Sequence, residues 1–252
     1  MVRLPQTVVV VPCFNEQRRL PTDQFIAFAG RADAQLLFVD DGSTDGTAEL
    51  LRQIQRNIDN PERVGLLFLE RNVGKAEAVR VGMLRAGEMG ADIVGYLDAD
   101  LATPLTEFEA LIEHLESGGA DAVLGSRVGL LGWDVQRRPA RHYLGRIFAT
   151  VASLVLGFRV YDTQCGAKVF RWSPGLAAAL HEPFQSRWVF DVELLGRLAL
   201  ATSHDGTGNP AGMQELPLRH WIERPGSRMG PIGSIRAAVD LLIIGYRLRR
   251  AR

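Results

Sequence analysis

Lysine is nearly missing from this chain of 252 residues: Lys75 and Lys168 stand against 27 arginines. Cysteine is as scarce. Cys13 and Cys165 are the only two, and neither sits in a CxxC pair, which argues against a zinc ribbon or a disulfide framework and fits a reducing compartment. A chain of this length buries about three quarters of its unfolded surface, so no disulfide is needed. Long apolar runs are missing too. The longest, Ile147 to Phe158, has 12 residues and is interrupted by Ser153 and Gly157, short of the roughly 18–20 that span a bilayer. The apolar run near the N-terminus meets Asn15, Glu16, Arg18 and Arg19 at once, so it reads as a strand and a loop and not as a signal peptide. The five histidines show no metal-ligand spacing, and there is no internal repeat or low-complexity tract.

Net charge is absent only in sum. Residues 1–126 hold 20 Asp/Glu and 11 Lys/Arg, a net of −9; residues 127–252 hold 9 and 18, a net of +9. That asymmetry argues against a uniformly basic nucleic-acid binder, and 46% hydrophobic against 23% charged residues argues against a disordered chain.

The first half alternates by type. Apolar runs at Thr7–Val11, Gln35–Val39, Val64–Leu69, Asp92–Leu97 and Ala120–Leu124 read as strands. Helices are predicted near Thr22–Arg31, after Ser43 or Asp45 as a cap, over Ala76–Glu88, and from Pro104 to Leu115. Such alternation with short links predicts an α/β fold, a mostly parallel sheet with helices on both faces, with ligands beyond the carboxyl ends of its strands. The second half is less regular. Helices are expected over Arg137–Phe158, Val189–Leu200 and Ser234–Arg252, a strand over Gln164–Arg171, and a long loop over Thr202–Gln214.

The acidic clusters fall at the predicted strand ends. Asp98 and Asp100, one residue apart, project toward one point where the chain leaves the sheet. Oxygen pairs of this kind suit Mg²⁺ or Mn²⁺, which retain waters and bind phosphates; the competing reading is turn and cap chemistry before Pro104. Asp40 and Asp41 crowd the same crevice, where a cation would relieve their repulsion. They also fit an Asx turn leading into a helix. Pro12 to Glu16 has the same double reading, as a strand-end turn or as a nucleoside pocket wall. Asn72-Val73-Gly74-Lys75 resembles part of a phosphate loop without completing one, leaving Lys75 as a specific charge or a helix-start residue. The arginines of 127–146 and of 219–236 suit phosphate through their paired donors, or form a solvated face.

The stretches VVVPCFNE, VDDGSTDGT, NVGKAEAVRVGM, YLDADLATP, GSR, DTQCGAKVF and WVFDVELL, in this order, resemble the inverting family 2 glycosyltransferases of Rossmann-like GT-A fold. Within them the sequence is most similar to dolichyl-phosphate β-glucosyltransferases, with polyprenyl-phosphate mannose synthases as near relatives. The resemblance covers nearly the whole chain and implies one catalytic domain over 1–252: a nucleotide- and metal-binding half at 1–126, an acceptor half at 127–233, and an amphipathic basic helix at 234–252. It implies that Pro12, Phe14, Glu16, Asp40, Asp41, Lys75 and Asp98 bind the nucleotide and that Asp98 and Asp100 hold Mg²⁺ or Mn²⁺. Arg127, Arg141, Arg224 and Arg228 would take the acceptor phosphate, while Gln164, Lys168 and Glu193 line the sugar side. Asp191 and Arg127 would be the catalytic residues. Ala102 stands where mannose synthases usually carry a metal-binding Gln, which favours UDP-glucose as donor.

The expected activity is hexose transfer to a polyprenyl or dolichyl phosphate. The alternatives are mannosyl transfer from GDP-mannose or a soluble acceptor. A phosphate monoester is mostly a dianion at pH 7, so it attacks without a strong base; with a neutral alcohol, Asp191 would be the base. The partners implied are the nucleotide sugar, the lipid phosphate and the membrane surface, with no nucleic acid. The N-terminal anchor of the eukaryotic enzymes has no counterpart, so the expected location is cytoplasmic, peripheral to the membrane. The apolar stripe and Arg tail of the last helix suit either an interfacial helix or core packing. A phospho-receiver domain shares the acidic strand ends and a Lys but leaves 127–252 unexplained. A non-catalytic sugar-nucleotide-binding protein is the other class.

Overall fold

The computed structural model describes residues 6–31, 33–136, 139–202, 212–224 and 231–251. Seven strands form one sheet: β1 (Thr7–Cys13), β2 (Ala34–Asp40), β3 (Val64–Phe68), β4 (Ile93–Leu97), β5 (Ala122–Ser126), β7 (Ala167–Arg171) and β8 (Met213–Pro217). The spatial order is β3-β2-β1-β4-β7-β5-β8. β7 runs antiparallel to both of its neighbours; the other pairings are parallel. β6 (Asp134–Gln136) and β9 (His220–Ile222) form a separate two-stranded ribbon.

Helices cover both faces, which is why β1 is an unbroken β-branched run: Val8 to Val11 are all fully buried. Val8 and Val10 join a cluster with α3 (Lys75–Glu88), α5 (Pro139–Leu156), α6 (Pro174–His181), α7 (Phe190–Thr202) and α8 (Pro231–Arg250). Val9 and Val11 face the other way, toward α1 (Thr22–Arg31), α2 (Thr47–Arg56) and α4 (Leu105–Glu116). The strand's period of two divides the core into two layers.

Several elements differ from the sequence expectations. Met213 and Gln214, assigned to a loop, begin β8; it lacks β-branched residues and is half-exposed at the sheet edge, so the periodicity signal is weak. Residues 203–211 of that expected loop lie outside the described residues. Residues 164–166 form a loop ahead of β7. The first turn of α2 is served by Asp45, which accepts from the Thr47 N–H at 2.9 Å, while the Ser43 hydroxyl is given to Asp40. The short β6, α6 and β9 had no expected counterpart. No described helix is long and apolar enough to cross a membrane.

Candidate active site

Three strand-end loops meet over the carboxyl ends of β1, β2 and β4. The loop after β1 is clamped to the one after β2. Asn15, in a left-handed conformation (φ 52°), accepts from the Thr44 N–H at 2.9 Å. The Asn15 and Glu16 N–H groups donate to Ser43 Oγ at 2.9 Å and Thr47 Oγ1 at 2.8 Å. Asp40 serves this turn through Ser43. Asp41 reaches across to the loop ahead of α3: it accepts from Val73 N–H at 2.7 Å, Gly74 N–H at 2.9 Å and Asn72 Nδ2 at 3.0 Å. Burial raises the Asp41 pKa, against the opposing pull of those N–H groups. Gly42 adopts φ 65°, and a Cβ there would lie 2.4 Å from the Arg71 backbone; only glycine allows both the turn and that approach.

Above these loops lies a cavity of about 600 Å³, whose lining includes Pro12, Phe14, Glu16, Asp41, Lys75 and Asp98. Asp40 is buried and bonded to Ser43. The cavity's charge centre is at the end of β4. Lys75, the first residue of α3, places Nζ 2.5 Å from Asp98 Oδ1. Desolvation disfavours the Lys75 ammonium, but Asp98, Asp191 and Asp100 outweigh it and raise its pKa. Asp100 also lines the cavity, accepting from the Ala102 N–H at 3.0 Å. Burial, then the Asp98 charge, raises its pKa. Between them the backbone is forced: Leu101 is buried with φ 49°, a conformation costing a non-glycine residue about 1–2 kcal/mol. Gly166 packs against the Asp98 side chain, and a Cβ there would come within 2.2 Å of its carboxylate.

These carboxylates fit a divalent cation in one respect. They form an electron-rich oxygen pair whose mutual repulsion is countered by Lys75 and, at Asp100, by Arg19, and Asp98 Oδ1 has no hydrogen bond besides its ion pair with Lys75. Among the described residues no group of three or more His, Cys, Asp or Glu is placed to hold a metal. Two carboxylates with substrate phosphates are the usual set for Mg²⁺.

The facing wall comes from the basic half. Arg127 and Arg224 line the cavity, as do Arg187, Trp188, Trp221 and Arg236. Arg127 is held by Asp162 through two bonds, Nε–Oδ2 at 2.6 Å and Nη2–Oδ1 at 2.8 Å, and stacks over Trp221 at 5.3 Å. Desolvation opposes its charge, but Asp162 prevails and its pKa is raised. Arg228 and the side chain of Arg141 lie outside the described residues. Arg187 and Trp221 were not anticipated; Arg236 lies in the 219–236 stretch read as suited to phosphate, and Trp188 opens the WVFDVELL stretch with no role of its own expected. The four sit in a loop, a two-stranded ribbon and a helix that only tertiary packing brings together, and Arg187 directly precedes the WVFDVELL stretch.

The expected sugar-side residues need correction. Glu193 is buried and spent on structure, accepting from the Gln185 N–H at 2.8 Å and Arg197 Nη2 at 2.6 Å. Lys168 is fully buried and donates to Asp191 Oδ1 at 2.7 Å and to the Cys165 carbonyl at 2.5 Å. Asp191 is itself buried; the same Oδ1 accepts from Tyr96, and Oδ2 faces Gln164 Nε2 at 3.4 Å. Asp191 and Lys168 thus form a buried pair, with the half-exposed Gln164 at its edge. Its cause is the antiparallel β7, whose Lys168 pairs in register with Tyr96.

A doubly covered, mostly parallel sheet with acidic loops over its strand ends is the architecture of the nucleotide-sugar-dependent GT-A transferases. Solved structures share it. Glucosyl-3-phosphoglycerate synthase from Mycobacterium tuberculosis, in complex with Mn²⁺, UDP and phosphoglyceric acid, superposes with TM-score 0.66 at 21% identity, covering 96% of this chain and 78% of that one. The Pyrobaculum calidifontis mannosyltransferase with GDP-Man and Mn²⁺ gives 0.63 at 18%, covering 99% and 65%. Residues 8–175 match the glycosyl transferase family 2 profile; the chain belongs to that family and is a glycosyltransferase. It is 32% identical to dolichyl-phosphate beta-glucosyltransferase ALG5C of Trichomonas vaginalis, over 96% of this chain and 72% of that protein. The Drosophila melanogaster and Saccharomyces cerevisiae dolichyl-phosphate beta-glucosyltransferases are 32% and 31% identical, over 95% and 94% of this chain and 74% and 73% of theirs.

Proposed function

We propose that this protein transfers glucose from UDP-glucose to a polyprenyl phosphate of the dolichyl type, with inversion at the anomeric carbon. The observation that carries the reading is one cavity with a paired-carboxylate floor facing an arginine wall. The names of the relatives supply the sugar and the lipid, and Ala102 at the position of the mannose synthases' Gln favours the glucosyl branch.

In this reading the loops at 12–16 and 40–47 hold the nucleoside, and Lys75 meets the diphosphate. Asp98 and Asp100 would hold a divalent cation, Mg²⁺ or Mn²⁺, which when bound neutralises charge on the leaving diphosphate. The acceptor phosphate lies against Arg187, Arg224 and Arg236, with Arg127 fixed in direction by Asp162. One phosphate oxygen forms the new bond to the sugar C1 while the bond from C1 to the UDP oxygen breaks. The nucleophile is already anionic, so no proton must be removed, and the protein's part is alignment and charge screening. A buried Asp191 already committed to Lys168 and Tyr96 suits such a base-free transfer.

The test is a transfer assay with Mg²⁺ across UDP- and GDP-sugars, with a short-chain polyprenyl phosphate and soluble phosphate acceptors. Glucolipid from UDP-glucose is expected, and Asp100→Asn should cut the rate by at least about 100-fold with the fold retained. Glycosylation of only a soluble acceptor, or only from GDP-mannose, would overturn the acceptor or the donor assignment respectively.

A further inference from the structure

Away from the cavity, two neighbouring helices expose apolar side chains that a water-facing surface does not require. On α5, Ile147 and Leu154 are 64% and 71% exposed, with Val151 between them; on α8, Leu242 and Tyr246 are 69% and 62% exposed, with Val239 and Ile243 beside them. Each set follows a helical spacing of three and four, so each makes one stripe. The stripes flank a common seam. Gly245 packs against Val155, with the Val155 methyls 3.3 Å from a Cβ built on the glycine. Leu242 lies three residues before the one and Val151 four before the other, which sets both beside the contact. Beside α5 a groove of about 580 Å³, lined by Leu154, Phe158 and Val160, is edged by Arg146 and Arg159; its one acidic lining residue, Glu215, is taken up by the N–H groups of Tyr161 and Asp162 at 2.7 and 2.8 Å.

The charge of this surface selects its occupant. α5 contains no acidic residue, and α8 has only Asp240, which accepts the Ser186 hydroxyl at 2.6 Å. The exposed last turn of α8 carries Arg247, Arg249 and Arg250. Two copies joined through this face would bring like charges together, whereas an anionic bilayer complements both the apolar stripes and the arginines. The location fits as well. Arg236 lines the catalytic cavity, and Leu242 follows six residues later, about 9 Å along the helix.

We infer that the α5–α8 face docks the protein onto an anionic lipid bilayer, with the cavity mouth beside the membrane surface. The inference rests on the lipid-phosphate reading for its purpose, but not for its test. The whole protein is mixed with vesicles of phosphatidylcholine alone, or with phosphatidylglycerol added, and floated on a density gradient. Flotation is expected only with the anionic vesicles. The double substitution Leu154→Ser with Leu242→Ser should weaken vesicle binding at least about tenfold. Neutralising Arg247, Arg249 and Arg250 to Gln should weaken it on the order of 100-fold and erase the lipid preference. Both variants should keep the unfolding temperature and the transfer rate to a short-chain, water-soluble polyprenyl phosphate.

Failure of the native protein to float, or variants that float as it does, would overturn the docking. So would a dimer in light scattering that Leu242→Ser dissolves, since the face would then belong to a second copy. Transfer to the short-chain acceptor without flotation would remove the docking and leave the acceptor assignment standing. Flotation without transfer to any polyprenyl phosphate would do the reverse.

Discussion

Two carboxylates illustrate how much a single residue's surroundings decide. Asp191, from the FDVELL stretch, looks in sequence like a catalytic acid or base, yet its partners are the fully buried Lys168 and Tyr96. Breaking a buried pair leaves an uncompensated charge, which costs about 3–5 kcal/mol. Lys168→Met should therefore lower the unfolding free energy by about that amount in urea titrations; a cost under about 1 kcal/mol would show that Asp191 does not depend on the lysine. Asp41 offers a test in pH. Burial raises its folded pKa above the unfolded value, so the native state binds the proton more tightly. Its contribution to stability is full below the unfolded pKa and is lost as pH rises through the folded one. Asp41→Asn should accordingly cost more stability near pH 4 than near pH 7, and an equal cost at both would contradict that sign.

Elements show which features were legible and why. The first five strands and their helices were readable, because a buried parallel strand is a continuous apolar run and the loop after it carries turn residues. The antiparallel direction of β7 was not, since a strand's direction leaves no mark on its own composition. Nor was the loop before it, whose Gly166 backbone both accepts the Asp98 N–H at 2.9 Å and lies against the Asp98 side chain. That contact couples two residues 68 positions apart. Gly166→Ala should displace the Asp98 carboxylate, raising the metal concentration needed for half-maximal transfer by roughly 10- to 100-fold with little change in folding. An unchanged metal requirement would mean that the loop yields instead.

At the scale of the molecule, the charge split has a spatial counterpart. The cavity takes Glu16, Asp41, Asp98 and Asp100 from the acidic half, and Arg127, Arg187, Arg224 and Arg236 from the basic half. The sequence located the acids because each sits at a strand end. It missed Arg187, and left Arg236 in a stretch that a solvated face would explain equally well, because nothing local distinguishes a wall residue from a solvated one. Trp221 was hidden for the same reason, and Trp188, although inside the WVFDVELL stretch, carried no local sign of a wall position.

The scarcity of lysine also has a practical side. Of the two, Lys168 is sealed in the core and Lys75 stands partly open beside Asp98, so an amine-reactive dye has one side chain to find besides the chain's own terminal amine. Native labelling should place the tag on Lys75, slowly, because its raised pKa keeps it protonated. Addition of UDP with Mg²⁺ should shield it, as peptide mass mapping would read directly. Unshielded labelling at saturating nucleotide would remove Lys75 from the donor site. A composition that favours arginine almost everywhere thus leaves the cavity with its own built-in reporter of occupancy.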